Sequence, residues 1–167
     1  MKRNEIFYLR IIEFVSITNN AYTKEELLGM EMHVLQTLNF KILSSTSEEF
    51  YNIISKVFNF NKKPHLLGEY FLDSSLVDYN FLKYKPSVIG AACAYFVMKF
   101  FSIKGYKDLY SSRIIMEEYP HKTIKECAKN LCFLVKNLSD SSLRATRDKY
   151  SLEEFGNVAD LCDQQNI

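Results

Sequence analysis

The chain has 167 residues, of which 47% are hydrophobic, and its 21 basic and 20 acidic side chains leave a formal net charge of +1. This length fits one domain or two small ones, and the hydrophobic content supports a full core. A nearly neutral chain exerts no general attraction on nucleic acid or anionic lipid, so neither is expected as a partner. Five glycines and three prolines are few, which favours long helices over short strands joined by turns.

The apolar runs and the cysteines indicate in which compartment the protein is expected. The longest apolar run, Val88 to Met98, falls well short of the roughly 20 residues that a membrane-spanning helix needs. Neither an Arg-rich nor a secretory leader is expected from the residues at Met1. The four cysteines form no CxxC pair, and Cys93 and Cys127 lie in apolar helical patterns, which predicts free buried thiols in a reducing compartment. We therefore expect a soluble intracellular protein.

The first predicted element is a short amphipathic helix within residues 1–20. Thr18, Asn19 and Asn20 bring it to an end. Its side chains are apolar over most of its circumference, so it needs cover on more than one side. The apolar positions are Ile6, Phe7, Leu9, Ile11, Ile12, Phe14 and Val15.

The next element is predicted as one helix from Tyr22 to Ile42. Thr23 and Glu26 have the spacing of a capping box, in which each side chain bonds to the backbone amide of the other. Glu31 lies in the middle of an apolar face, and an ionised carboxylate is costly to bury without a partner. Either this face meets a polar group, or a cation pairs with Glu31, or the apolar stripe is narrower and Glu31 stands in water. The apolar positions of this face are Leu27, Leu28, Val34, Leu35 and Leu38.

Five helices are predicted between residues 46 and 138. Thr46 or Ser47 begins the first of them, and Pro64 suits the first turn of the second. The third follows Pro86 and is apolar almost all round, which predicts a central position enclosed by the others.

The remaining elements complete a set of about seven helices. A short helix is expected at roughly Lys107 to Glu118, and a strong helix from Thr123 to Leu138. No segment alternates with a period of two, so an all-α fold is predicted. Beyond Ser139 four apolar side chains are expected to pack back as a short helix and tail: Leu143, Tyr150, Leu152 and Phe155.

No catalytic or metal-binding motif is present: there is no GxSxG, glycine-rich phosphate loop, HExxH or EF-hand loop. His33, His65 and His121 are far apart in sequence and are interpreted as surface or helix-end histidines. Cys93 has no basic neighbour that could lower the pKa of its thiol. We expect no catalytic residue, no metal, no cofactor and no small-molecule ligand.

Several blocks of the sequence resemble mitotic (A/B-type) cyclins. The run from Glu13 to Phe40, EFVSITNNAYTKEELLGMEMHVLQTLNF, is similar to the end of their first cyclin box. The block from Leu82 to Ala91 is similar to the start of their second cyclin fold. Tyr119 with Cys127, and Ser142 to Tyr150, resemble later parts of the pattern, so the resemblance covers nearly the whole chain.

The resemblance implies a division of the chain. Residues 1–42 would be part of an N-terminal cyclin box, 43–140 a complete C-terminal five-helix cyclin fold, and 141–167 a C-terminal tail. In the family, further helices of the first box lie upstream. We therefore expect a fragment, a misplaced start codon or a reduced protein, with overexposed apolar faces at residues 6–15 and 27–38 and weak or no kinase activation.

The resemblance also implies a function. Mitotic cyclins are regulatory subunits, not enzymes, that bind and activate a cyclin-dependent protein kinase, which implies a location in nucleus and cytoplasm. A family Lys and Glu that reach kinase backbone groups match Lys2 and Glu31, and apolar positions lining the same groove match Leu35, Phe40 and Ile42. Arg3 stands where the family usually has an aromatic residue.

Two other functions stay open. One is a transcription-associated cyclin-fold adaptor, although DNA-facing members should show a basic surface, against which the net charge of +1 argues. The other is an all-α enzyme with an unrecognised site, which lacks any grouping of acid, base and nucleophile. The A and B types are also not separated: YTKEELLGMEM and LQTLNF favour B, whereas SLVDYNFLKYKPSV favours A.

Overall fold

The structure, a computed structural model, describes residues 10–105, 121–138 and 143–164. Those residues contain eight α-helices and two short 3₁₀ helices and no strand, which confirms the all-α prediction. The chain divides into two compact units, Met1–Ser44 and Ser45–Ile167. The short helix expected at roughly Lys107 to Glu118 lies outside the described residues.

The first unit contributes α1 (Ile11–Ile17) and α2 (Lys24–Thr37). The predicted break after α1 is confirmed, because Asn19 and Asn20 have φ angles of +54° and +58°. The prediction of one helix as far as Ile42 is wrong at its C-terminal end. Asn39 and Phe40 have φ angles of +49° and +56°, a left-handed conformation through which a right-handed helix cannot continue.

Neither α1 nor α2 contains a buried residue. The expected overexposure of apolar side chains is confirmed for residues 10–15 and 27–38, the part of those two stretches that the structure describes. A helix of this unit therefore has little tertiary packing of its own to stabilise it. The most exposed large apolar side chains of α1 and α2 are Ile12 (66%), Ile17 (70%) and Met30 (60%).

The second unit contains the remaining helices, and three predicted helix starts in it are confirmed. The Thr46 hydroxyl accepts a hydrogen bond from the Glu49 amide, and the Thr46 amide donates to the Glu49 carboxylate. Pro64 lies in the first turn of its helix and Pro86 at the first position of the next. The α-helices are α3 (Ser47–Val57), α4 (Lys62–Ser75), α5 (Pro86–Phe100), α6 (His121–Leu138), α7 (Ala145–Tyr150) and α8 (Val158–Gln164), and the 3₁₀ helices are Tyr79–Lys83 and Glu153–Phe155.

Helix α5 is central, as predicted, with 10 of its 15 residues buried against α3, α4 and α6. Gly90 shows how closely α3 approaches it. A Cβ atom at Gly90 would lie 2.6 Å from the Ser47 carbonyl oxygen and 2.9 Å from the Phe50 Cβ. Glycine is therefore the residue that this helix crossing requires.

Asparagine ends several of these helices. Asn19, Asn39 and Asn59 follow the last residues of α1, α2 and α3, and Ser102 follows α5, all with φ between 49° and 54°. Glycine is the usual residue in this left-handed position, and asparagine is the common substitute. The helices can therefore end although the chain has only five glycines.

The C-terminal segment packs back on α4. Tyr150 is buried, and its hydroxyl donates to the Asp73 carboxylate over 3.0 Å, while Lys149 Nζ lies 2.9 Å from the same oxygen. Phe155 packs against the core. These two predicted contacts are confirmed. The expectation for Leu143 and Leu152 is wrong, since their side chains are 58% and 52% exposed; Leu143 precedes α7 and Leu152 lies in the extended link after it.

None of the four cysteines forms a disulfide bond, and the predicted burial of Cys93 and Cys127 is confirmed. No helix among the described residues combines the length and the apolar character needed to cross a bilayer.

Candidate functional site

The candidate site is built on α2, whose start is fixed by the predicted capping box. The Thr23 hydroxyl accepts a hydrogen bond from the Glu26 amide over 3.2 Å, and the Glu26 carboxylate accepts one from the Thr23 amide over 2.8 Å. The bond from the Thr23 amide, together with one that the Thr23 hydroxyl donates to the same carboxylate over 3.0 Å, holds the pKa of the Glu26 carboxyl below its ordinary value. A carboxylate at this end also suits the helix dipole.

Glu31 lies two turns further along the helix and is exposed. Leu27 and Leu35, four residues to either side of it, are half-buried. Glu31 forms no salt bridge with any residue that the structure describes. The carboxylate is therefore in water, and no free energy is spent on burying it in this structure.

Phe40 is held against the end of α2 by a Schellman motif. Its amide donates to the Leu35 carbonyl over 2.8 Å, and the Asn39 amide donates to the Gln36 carbonyl over 3.0 Å. In this motif the two outer residues, here Leu35 and Phe40, commonly make a hydrophobic contact. The Phe40 side chain is nevertheless 62% exposed.

Ile42 lies two residues beyond Phe40, outside any helix, with 63% of its side chain exposed. Lys2 lies outside the described residues. The structure thus brings three predicted residues onto one helix and its end: Glu31 and Leu35 are neighbours at i and i+4, and Phe40 closes the last turn.

Two further apolar side chains belong to this surface. Val34 and Leu38 are three and seven residues after Glu31, which places them on the same side of α2, and they are 47% and 48% exposed. The apolar periodicity identified them, but not their exposure, because a periodic pattern does not tell which part of a face the fold covers. Together with Glu31 they form an exposed surface of apolar groups around one carboxylate.

The described residues of this surface suit binding. They offer one acid, with neither a nucleophile nor a second titratable group arranged beside it. Among the residues that the structure describes, no group of three or more His, Cys, Asp or Glu side chains could hold a metal ion. His33 is exposed and His121 begins α6, as expected. His65, in the first turn of α4, stacks on Tyr51, with the two ring centroids 5.6 Å apart.

Two protein-family models match the sequence of this chain. The model of the cyclin C-terminal domain matches residues 45–164, and the model of the cyclin N-terminal domain matches residues 1–43. The chain belongs to the cyclin family. Proteins of this family are regulatory subunits rather than enzymes.

Mitotic cyclins are among the relatives of this cyclin. It is 31% identical to the G2/mitotic-specific cyclin-B of Spisula solidissima over 96% of its own length and 37% of the relative's. It is 33% identical to the G2/mitotic-specific cyclin C13-1 of Daucus carota, over 99% and 50% of the two chains. It is 30% identical to the G2/mitotic-specific cyclin-B of Dictyostelium discoideum, over 95% and 36%. The chain thus spans between about a third and a half of the length of these relatives.

Proposed function

We propose that this cyclin binds a cyclin-dependent protein kinase through α2 and the residues that follow it, and regulates that kinase in mitotic control. The observation that carries the proposal is the surface around Glu31. A carboxylate with no salt-bridge partner among the described residues stands there between exposed apolar side chains of α2. Membership of the cyclin family suggests the class of partner, and the mitotic names of the relatives suggest the process.

Each residue has a distinct role in the proposed contact. Leu35, Phe40 and Ile42 would pack on the regulatory helix of the kinase. The Glu31 carboxylate would accept hydrogen bonds from kinase backbone amides, and Lys2 would donate to a kinase carbonyl. The apolar contacts would supply most of the binding free energy, and the charged contacts would fix the register, because a wrong register leaves a desolvated charge unpaired.

Titration of the purified kinase with the Glu31→Ala variant tests the charged contact. Truncating one partner of a buried charged contact costs about 2–5 kcal/mol of binding free energy, so we expect the affinity to fall by that amount. Glu25→Ala is the matched control, because Glu25 is exposed on the same helix and has no assigned role. Alanine is a good helix former, so α2 should persist in both variants.

The apolar contact has its own pair of variants. Phe40→Ala is expected to weaken kinase binding by at least about 2 kcal/mol, the usual threshold for an aromatic hot spot. Leu43→Ala, which truncates a side chain that is 95% exposed, should leave binding unchanged. Equal affinities for Glu31→Ala and Glu25→Ala would refute the role of Glu31, and absence of binding by the unmodified chain would refute the proposed function.

A further inference from the structure

A groove with a volume of about 850 Å³ lies between α5 and α6 in the second unit. Four of the residues that line it are aromatic. Tyr95, Phe96 and Phe100 come from α5, and Phe133 comes from α6. Phe133 is 70% exposed. Because an aromatic side chain stabilises a fold chiefly when it is buried, this ring contributes little to the stability of the second unit. The groove thus exposes an apolar surface of the kind that marks an interaction site.

Four lysines surround this aromatic surface: Lys99 from α5 and Lys125, Lys129 and Lys136 from α6. Among the described residues that line the groove there is no acidic side chain. Lys99, Lys125 and Lys129 form no salt bridge with any residue in the described part of the chain. The chain as a whole is almost neutral, so this is a local concentration of positive charge.

The nearest acid in the sequence of α6 faces elsewhere. Glu126 is adjacent to Lys125, but its carboxylate accepts a hydrogen bond from the Tyr84 hydroxyl over 3.3 Å. Asn130, one turn later, donates to the same hydroxyl over 2.8 Å. One side of α6 therefore contacts the segment before α5, and on the other side Lys125 and Lys129 form no salt bridge with an acidic residue in the described part of the chain.

The spacing of these groups follows the helix. Lys125, Lys129 and Phe133 succeed one another at intervals of four residues, so they form one stripe with about 6 Å of axial rise between neighbours. Tyr95 and Lys99 form the corresponding stripe on α5. The α6 stripe thus places two ammonium groups one helical turn apart along one edge of the groove, and Lys99 places one on the other edge.

We propose that this groove binds an acidic amphipathic peptide segment, in which carboxylates about one helical turn apart flank an apolar or aromatic side chain. The carboxylates would pair with Lys125, Lys129 and Lys99, and the apolar side chain would cover Phe133 and Phe100. Helix-in-groove recognition uses this combination of an apolar stripe and a charged edge. A groove of this volume is large enough to take such side chains.

A peptide fits the site better than a nucleic acid does. Binding of a single strand to a protein relies on several exposed ring faces along a basic track, and here only Phe133 is largely exposed while Tyr95 and Phe100 are half-buried. The net charge of +1 also provides no broad attraction for a phosphate backbone. The groove lies in a different unit from Glu31, so this inference and the proposed kinase contact stand or fall separately.

Fluorescence anisotropy with a labelled synthetic peptide tests the proposal on the whole chain. The probe is a helix-forming peptide of about 20 residues with Glu at i and i+4 around Leu and Phe. We expect it to bind, and to bind more weakly as salt is raised, because exposed charge pairs are screened. The same peptide with Gln in place of Glu should bind at least about tenfold more weakly, and oligothymidylate should not compete.

Two pairs of variants assign the binding to this groove. Lys125→Glu with Lys129→Glu should weaken peptide binding by at least about tenfold, since like charges would then face each other. The matched control is Lys62→Glu with Lys63→Glu, two exposed lysines on α4 that give the same change in net charge. Phe133→Ala should weaken binding several-fold, whereas Tyr79→Ala, at a residue 84% exposed, should not.

If the glutamate variant does not fold, Lys125→Gln with Lys129→Gln repeats the first test without like-charge repulsion. Peptide binding that is unchanged by the lysine variants, or equal for the Glu and Gln peptides, would overturn the proposal. Competition by oligothymidylate at the concentration of the acidic peptide would assign the groove to nucleic acid instead. Glu31→Ala should leave peptide binding unchanged.

Discussion

The amide of Phe40 donates a hydrogen bond to the carbonyl of Leu35 over 2.8 Å and thereby closes the C-terminal end of α2. Equivalent bonds join residues five apart at the ends of three other helices: Asn20 to Val15, Phe60 to Ser55 and Ile103 to Met98. In α2 the bond has a consequence for function, since it joins two residues of the candidate site. The position of Phe40 relative to Leu35 therefore depends on Asn39, which turns the backbone between them.

Replacing Asn39 by alanine is expected to loosen this helix end, because alanine disfavours the left-handed conformation by about 1 kcal/mol or more. The Phe40 amide should then exchange with solvent about fivefold faster, which NMR-detected hydrogen exchange can measure. Asn39→Gly is the control, since glycine adopts a positive φ without steric cost and should keep the amide protected. Equal exchange in the alanine and glycine variants would contradict this account.

Two glycines in helices should respond to alanine in opposite directions. A Cβ at Gly90 would lie 2.6 Å from the Ser47 carbonyl oxygen, a backbone atom that cannot give way, so Gly90→Ala should destabilise the second unit by about 1–3 kcal/mol. A Cβ at Gly29 would meet nothing within 4 Å, so Gly29→Ala should stabilise α2 by up to about 1 kcal/mol through helix propensity. Urea unfolding measures the first effect, and the helical circular dichroism signal measures the second.

Hydrogen exchange should also separate the two units. Helices α1 and α2 have no buried residue, and helices of 7 and 14 residues are marginal without packing. The amides of α5, at the centre of the second unit, should open only on global unfolding. We expect the amides of α2 to exchange at least about a thousandfold faster than those of α5, with a thermal melt that is cooperative only for the second unit. Uniform protection along the chain would contradict this expectation.

Local signals in the sequence predicted the starts of the helices well. The capping boxes of Thr23 with Glu26 and of Thr46 with Glu49 join residues only three apart, so the pattern contains the whole interaction. The apolar circumference of α5 likewise predicted its central position. These features depend on residues that are close in sequence and not on tertiary contacts with distant parts of the chain.

It was harder to predict where each helix ends and which side of a helix other elements bury. Leu38, Phe40 and Ile42 continue an apolar pattern past Thr37, and nothing in that pattern shows that Asn39 takes a positive φ. Helix α8 was missed because it is short and its buried residues, Val158, Ala159 and Cys162, are small or stand among polar ones. Whether Glu31 is buried or in water depends on which elements cover α2, and periodicity does not contain that information.

The contact between Tyr150 and Asp73 should contribute measurably to stability. Tyr150→Phe removes the hydroxyl that donates to the Asp73 carboxylate over 3.0 Å but keeps the buried ring. Because Lys149 still pairs with Asp73, we expect a loss of only about 1 kcal/mol in the free energy of unfolding. The urea midpoint measures this loss. Tyr79→Phe, at an exposed tyrosine, should leave the midpoint unchanged, and an equal shift in the two variants would argue against the contact.

Two thiols of α6 should make the second unit sensitive to alkaline pH. Burial raises the pKa of the Cys127 thiol from an ordinary 9.0 to about 12 and that of the Cys132 thiol to about 11. The folded state therefore holds these protons more tightly than the unfolded state does. The stability that the two thiols contribute is complete below about pH 9, and it is lost as the pH rises through 11 and 12.

Urea unfolding between pH 8 and pH 11 can measure this loss in the unmodified chain and in a variant with Cys127→Ala and Cys132→Ala. The double variant is expected to be less stable at pH 8, because it loses packing, but to lose less further stability as the pH rises. Each thiol accounts for up to about 1.4 kcal/mol per pH unit between its unfolded and folded pKa. Tyrosines and lysines titrate in the same range in both proteins, so the difference between the two pH profiles isolates the thiols. Parallel profiles would mean that the two thiols ionise as readily in the folded protein as in the unfolded chain.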